Sequence, residues 1–107
     1  MSLIWSLLAM DRVLEIAEYI ARDNPSAAQK WVEDIFDRTG QLEQFPDSGR
    51  RVPEGPTRTD LREIIHGEYR IIYRISPKRV DILTVRHGRQ ILPLEEITDK
   101  DAPENPL

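Results

Sequence analysis

With 107 residues, no cysteine, 39% hydrophobic and 32% charged side chains, the chain has the composition of one modest-cored soluble domain spanning 1–107, which excludes a disulfide scaffold and a thiolate metal site. A net charge of −4 and a pI near 5.2 argue against a dedicated DNA or RNA binder, whose affinity comes largely from counterion release by a basic surface. The charge is unevenly spread: residues 1–49, 50–89 and 90–107 carry net charges of −5, +5 and −4, so a basic middle flanked by acidic ends is available to an acidic partner.

In chain order, residues 2–6 are predicted to form a short apolar strand. Residues 3–10 are apolar apart from Ser6, but no Lys or Arg precedes them and Asp11 ends them too early for a membrane span. With no span and no cysteine, the cytoplasm is the expected compartment. Leu7, Met10, Val13, Leu14, Ala17, Ile20 and Ala21 then recur at three- and four-residue intervals, opposite Asp11, Arg12, Glu15, Glu18 and Arg22, which predicts an amphipathic helix. Asn24-Pro25 closes it and starts the next, because Asn caps free amides and Pro suits a first helical turn. Ala27, Ala28, Trp31, Val32, Ile35, Phe36, Leu42 and Phe45 supply the second stripe, with a weak point at Gly40.

Pro46-Asp47-Ser48-Gly49 stops the helix, and a loop up to Asp60 is predicted to expose Arg50, Arg51 and Arg58 around Pro53, Gly55 and Pro56. Three strands follow, over 61–65, 69–75 and 79–86, with connections short enough for an antiparallel meander. In the middle one, Tyr69, Ile71, Tyr73 and Ile75 alternate with Arg70, Ile72 and Arg74. One face is therefore core, with the tyrosines packed toward Trp31 or Ile35, and the other presents two guanidiniums to solvent or to a partner. Arg62 and Glu63 are expected to form a weak surface ion pair. Residues 93–97 are a candidate short helix, and 98–107 an acidic tail prone to fray. The expected fold is a two-layer α+β domain in which the N-terminal strand and a two-helix hairpin pack on a mainly antiparallel sheet, in the order βααβββ.

Two histidines without cysteine make no metal site, and no glycine-rich phosphate loop is present, so neither a metal nor another cofactor is expected. The carboxylates of Asp11, Glu15 and Glu18 share a helix face and read as solvation.

The order of elements and their residues resembles the RelE/ParE superfamily of toxins from bacterial type II toxin–antitoxin systems, over nearly the whole chain. Carrying the resemblance are the early strand with Trp5, Tyr19-Ile20 followed by Asn24-Pro25-Ser26-Ala27-Ala28, and Phe45-Pro46-Asp47-Ser48-Gly49-Arg50. Leu61-Arg62-Glu63, Tyr69-Arg70-Ile71-Ile72-Tyr73-Arg74-Ile75 and Val85-Arg86-His87-Gly88-Arg89 complete it. The resemblance implies a small cytoplasmic toxin neutralised by a cognate antitoxin.

Two activities compete within that superfamily. A RelE-like toxin cleaves messenger RNA on the ribosome by attack of a ribose 2′-hydroxyl on the adjacent phosphate, which needs a base, an acid and donors for the phosphoryl charge. By the resemblance, Arg70 and Arg89 fall near the arginines such nucleases use, Arg86 could add to the phosphate donors, and His87 or His66 could move protons. The chain departs from that pattern in having no tyrosine after Tyr73 and no lysine cluster in the loop before the sheet. A ParE-like toxin instead poisons DNA gyrase by binding it, with no catalysis of its own. The ending Val85-Arg86-His87-Gly88-Arg89 and the segment Asn24-Pro25-Ser26-Ala27-Ala28 look more like this branch. The favoured expectation is therefore gyrase inhibition without direct nucleic-acid binding, through a surface of Arg50, Arg51, Arg70, Arg74, Arg86, His87 and Arg89. An exposed apolar strip between the helical hairpin and the sheet, bordered by Arg50, Arg51, Arg70 and Arg74, would receive an acidic antitoxin tail that folds as it binds. A member that has lost toxicity and serves only as an antitoxin-binding module is the remaining class.

Overall fold

In the computed structural model, which describes residues 1–53, 60–90 and 92–97, the first local decision is made at Ser6. Strand β1 (Ser2–Trp5) stops there because the Ser6 hydroxyl accepts the Ala9 N–H at 3.0 Å and caps helix α1 (Leu7–Ala21). The same hydroxyl donates to the Leu83 carbonyl at 2.9 Å, tying the cap to the sheet. Helix α2 (Pro25–Gly40) begins as its sequence predicts, with the Asn24 side chain accepting from the Ala27 N–H and Pro25 in the first turn. It ends at Gly40 and runs into a single 3-10 turn, Gln41–Glu43.

The sheet has the order β1-β5-β4-β3-β2, built from β2 (Arg50–Arg51), β3 (Leu61–His66), β4 (Tyr69–Ile75) and β5 (Arg79–His87). β3, β4 and β5 form the predicted antiparallel meander, and β1 adds in parallel to β5. Gly67, at φ +60°, supplies the left-handed residue that turns β3 into β4. Two residues expected in the exposed loop, Arg50 and Arg51, instead pair with Glu63 and Arg62 as strand β2. The predicted loop arginine Arg58, with Gly55 and Pro56, and the predicted tail 98–107 lie outside the described residues.

Both helices cover one face of the sheet. Ala9, Val13, Ile35 and Leu42 close against Ile64, Ile71, Tyr73, Val80, Ile82 and Val85. The Tyr73 ring is fully buried, and its hydroxyl accepts the Gly49 N–H at 2.9 Å. Gly49 must be glycine for that approach, since a Cβ would stand 2.5 Å from the Glu63 carbonyl and 2.6 Å from the Tyr73 hydroxyl. Trp31 meets Tyr69 edge-on at 5.3 Å between ring centroids, as expected of strand-face tyrosines under the hairpin.

The helical stripes are narrower than their periodicity predicts. Leu7 is 79% and Leu14 59% exposed, and Phe36 and Phe45 are also solvent-facing, while Ala9 and Ile16 take the inward positions on α1. The reason is geometric: each helix rests on the sheet along one line, and apolar residues flanking that line stay outside.

The opposite sheet face is not open. Val52, Leu61, Ile72, Leu92 and Ile97 form a second small cluster, with Leu83 packed against it. The C-terminal segment reaches it through the 3-10 turn Leu94–Glu96, the short helix predicted over 93–97. A register shift between Ile72 and Tyr73, opposite Leu83, turns Leu83 and Thr84 toward this cluster.

Candidate functional site

The candidate residues cluster on the face and end of the sheet carrying this second cluster, and the first of them is Arg70. It projects from β4 on the same side as Ile72 and Arg74, where solvent exposure was expected; Arg70 is 4% and Arg74 8% exposed. That expectation is overturned because Val52 and the C-terminal segment roof the face. Arg70 donates from Nε to Glu63 Oε1 at 2.8 Å, and its Nη2 lies 2.7 Å from the same oxygen. Arg50, directly opposite Glu63 across β2–β3, donates from Nε to Oε2 at 2.6 Å. Glu63, 1% exposed, is thus a buried carboxylate clamped between two guanidiniums. The surface pair expected between Arg62 and Glu63 is replaced by this clamp, because adjacent strand residues point to opposite faces. Arg62 instead donates to the Gly49 carbonyl at 2.9 Å.

Arg86 meets a second carboxylate. Glu96 takes a hydrogen bond from the Thr84 hydroxyl at 2.8 Å on Oε1, and on Oε2 from Arg86 Nη1 at 2.7 Å and Arg12 Nη2 at 2.9 Å. Burial raises the Glu96 pKa, but these donors outweigh it and hold the carboxyl below its ordinary value. The bond to Glu96 in turn raises the Arg12 guanidinium above its ordinary pKa.

His87 closes β5. Its Nδ1 accepts the Arg89 N–H at 3.2 Å, so the neutral ring carries its proton on Nε2, which faces Glu68 Oε1 at 3.1 Å. Tyr69 stacks edge-on against it at 5.5 Å. Arg89, Arg50 and Arg51 are exposed. Arg74 lies beside Asp81 across β4–β5, and Asp81 is also paired with Arg79 at 3.0 Å. His66, the last residue of β3, is half-buried beside the Gly67 turn and opposite Tyr69, at the same end of the sheet as His87.

Arg70, Arg86 and His87 therefore converge on one end of the sheet, whereas Arg50 and Arg51 stand on the β2 edge. Beside Arg86 and His87, a cleft of about 290 Å³ opens toward α1, lined also by Arg12, Tyr19, Tyr69 and Gln90. Among the described residues no group of His, Asp and Glu has the arrangement of a metal site, and no helix is long and apolar enough to cross a membrane. Five contributors were not singled out as site residues: Glu63, Glu68, Glu96, Arg12 and Thr84. Glu63 left a faint signal, since it shares a strand face with Leu61 and Ile65. Arg12 and Glu96 left none, being 84 positions apart.

Residues 3–92 match the family described as ParE toxin of type II toxin–antitoxin system, parDE. The chain belongs to the ParE toxin family. A Sinorhizobium fredii (strain NBRC 101917 / NGR234) protein named "Putative toxin Y4kP" is 40% identical over 92 residues, covering 83% of this chain and 90% of that protein. Among solved structures, the "Chromosomal ParDE TA system from P. aeruginosa" superposes with a TM-score of 0.68 at 24% identity, over 81% of this chain and 95% of the other. The toxin–antitoxin complex RelBE2 of Mycobacterium tuberculosis gives 0.51 at 22% identity, over 80% and 95%. The sequence matches carry the family, and the structural ones support the fold. The ParE-family assignment agrees with the superfamily that the motifs resemble.

Proposed function

We propose that this ParE-family chain is a toxin that inhibits DNA gyrase by binding it, works in the cytoplasm, and is neutralised by a cognate antitoxin. One observation carries the preference for protein binding over RNA cleavage: Arg70, Arg86 and His87 each face a carboxylate of the same chain, Glu63, Glu96 and Glu68. Phosphoryl transfer needs cationic donors free to meet developing negative charge and a base free to take a proton. Binding to a protein needs neither. Exposed Arg50, Arg51 and Arg89, with half-buried His87, then offer the charged rim that steers a partner, and Arg70 and Arg74 act beneath that surface by holding its shape.

The antitoxin is expected to be acidic and to fold on binding. Apolar side chains left outside the core, Leu7, Leu14, Tyr19 and Phe45, are the anchors it would cover. Both neighbouring folds come from toxin–antitoxin systems, which supports this partner class.

The test adds purified protein to a gyrase supercoiling assay and, in parallel, to translating ribosomes with a reporter message. Inhibited gyrase with intact message is the expected result, and Arg51→Ala and Arg89→Ala are expected to weaken inhibition. Codon-positioned cleavage, lost in Arg70→Ala, His87→Ala or Arg89→Ala, would overturn the reading in favour of a nuclease. Silence in both assays would leave an antitoxin-binding module.

A further inference from the structure

β1 pairs with β5 only as far as Ile82, and Ser6 closes that pairing by donating its N–H to the Ile82 carbonyl at 3.0 Å. Past that point Thr84 and Arg86 stand beside α1, and the turn Leu94–Glu96 places a carboxylate between them and Arg12. Two guanidiniums and a hydroxyl converging on a single oxyanion form the donor set of a phosphate site. Arg12 also touches the exposed carboxylate of Glu15 at 3.1 Å, a contact that water can replace.

Glu96 fills this donor set incompletely. The Nε–H groups of both Arg12 and Arg86 are shielded from solvent and have no hydrogen-bond partner. A carboxylate brings two oxygens, and both are already engaged. A phosphate brings more oxygens around one centre and can answer donors that Glu96 leaves unanswered. The cleft beside the cluster adds His87, Gln90 and the ring of Tyr69, room and chemistry for what is attached to a phosphate.

We infer that Arg12, Arg86 and Thr84 form an oxyanion site for phosphate that the chain's own Glu96 occupies and keeps closed. Leu92 and Ile97, seated in the second apolar cluster, hold the strap that carries Glu96 in place. Phosphate binding and strap closure are mutually exclusive, so the apparent affinity of the closed protein is reduced by the fraction of molecules that are open. Glu96 thereby decides how this end of the sheet responds to phosphate. The inference is independent of gyrase binding, and the supercoiling assay bears on that reading alone.

The test titrates the 107-residue chain and its Glu96→Gln variant with inorganic phosphate, pyrophosphate and a short oligoribonucleotide, followed by calorimetry and by NMR shifts of residues 84–97. Glu96→Gln is expected to bind at least about tenfold more tightly than the unaltered chain, the minimum gain if the closed form dominates. Adding Arg86→Met or Arg12→Met is expected to abolish the gain. Equal affinity for pyrophosphate and the oligonucleotide identifies a small phosphate as ligand, and a marked preference for the oligonucleotide identifies a nucleic-acid backbone. No gain in Glu96→Gln, or a gain that survives Arg12→Met and Arg86→Met, overturns the proposal. Should Glu96→Gln lose its fold by circular dichroism, Leu92→Ala gives the same readout: it loosens the strap with every charged group retained, and unchanged phosphate affinity there also overturns it.

Discussion

Toward the helices, the sheet presents Ile64, Ile71, Tyr73, Val80, Ile82 and Val85 to Ala9, Val13, Ile35 and Leu42, and the contact is almost wholly apolar. Away from them, a smaller apolar patch adjoins the carboxylate of Glu63, held by Arg50 and Arg70, while at the end of the sheet Glu96 is held by Thr84 and Arg86 of β5 and by Arg12 reaching across from α1. The first face is held by area removed from water, which is non-directional and tolerant of small changes. The second depends on charges that are tolerable only while their partners stay in place. Structural weight thus lies between the helices and the sheet, and the buried charge pairs lie on the other side of the sheet and at its end.

The sharpest way to break the comparison is Glu63→Gln. It strips the carboxylate from Arg70 inside the sheet face, and a loss of about 3–5 kcal/mol is expected in urea unfolding, the range for removing one member of a buried ion pair. Glu63→Leu combined with Arg70→Met should recover much of that loss, because an apolar replacement of both partners leaves no unpaired charge. On the helix face, Ile35→Ala is expected to cost about 2–5 kcal/mol through a cavity, with no partner substitution on the charged face able to rescue it.

Acid should separate the two faces next. The pKa of Glu96 is lower in the folded protein than in the unfolded chain, so its contribution is fully present above the ordinary glutamate value of about 4.3 and is lost as pH falls through the lower folded value. Hydrogen exchange on either side of that interval is expected to show residues 92–97 loosening before the helix-side core. Simultaneous loss of both would mean that the strap is not a separate unit. Smallest of all is Leu14→Ser, expected within about 0.5 kcal/mol of the unaltered chain because the side chain is already exposed, with weaker antitoxin binding as its one clear effect.

Local chemistry was legible in the sequence wherever neighbours in the chain decide the outcome. The passage from strand to helix after Ser6, Asn24 as a breakpoint, the meander and the tyrosine face of β4 all follow from caps, breakers and a period of two or three to four residues. The second helix, expected to run to Pro46, instead gives way at its weak point, Gly40, to a 3-10 turn. The motifs also carried the superfamily.

Depth and pairing were not legible in the same way. Leu7 and Leu14 have the spacing of core residues and lie outside, while Arg70 and Arg74 have the spacing of surface residues and lie inside. A periodic pattern states which residues share a face, and only the arrival of a second layer states whether that face is covered. Here the cover comes from Val52 and from residues 92–97, distant along the chain from what they bury. The family and the order of its elements were settled by the sequence itself, through local steric and hydrogen-bonding preferences. Which arginines meet solvent and which meet Glu63 or Glu96 was decided by tertiary structure, because electrostatic partners are chosen by distance in space.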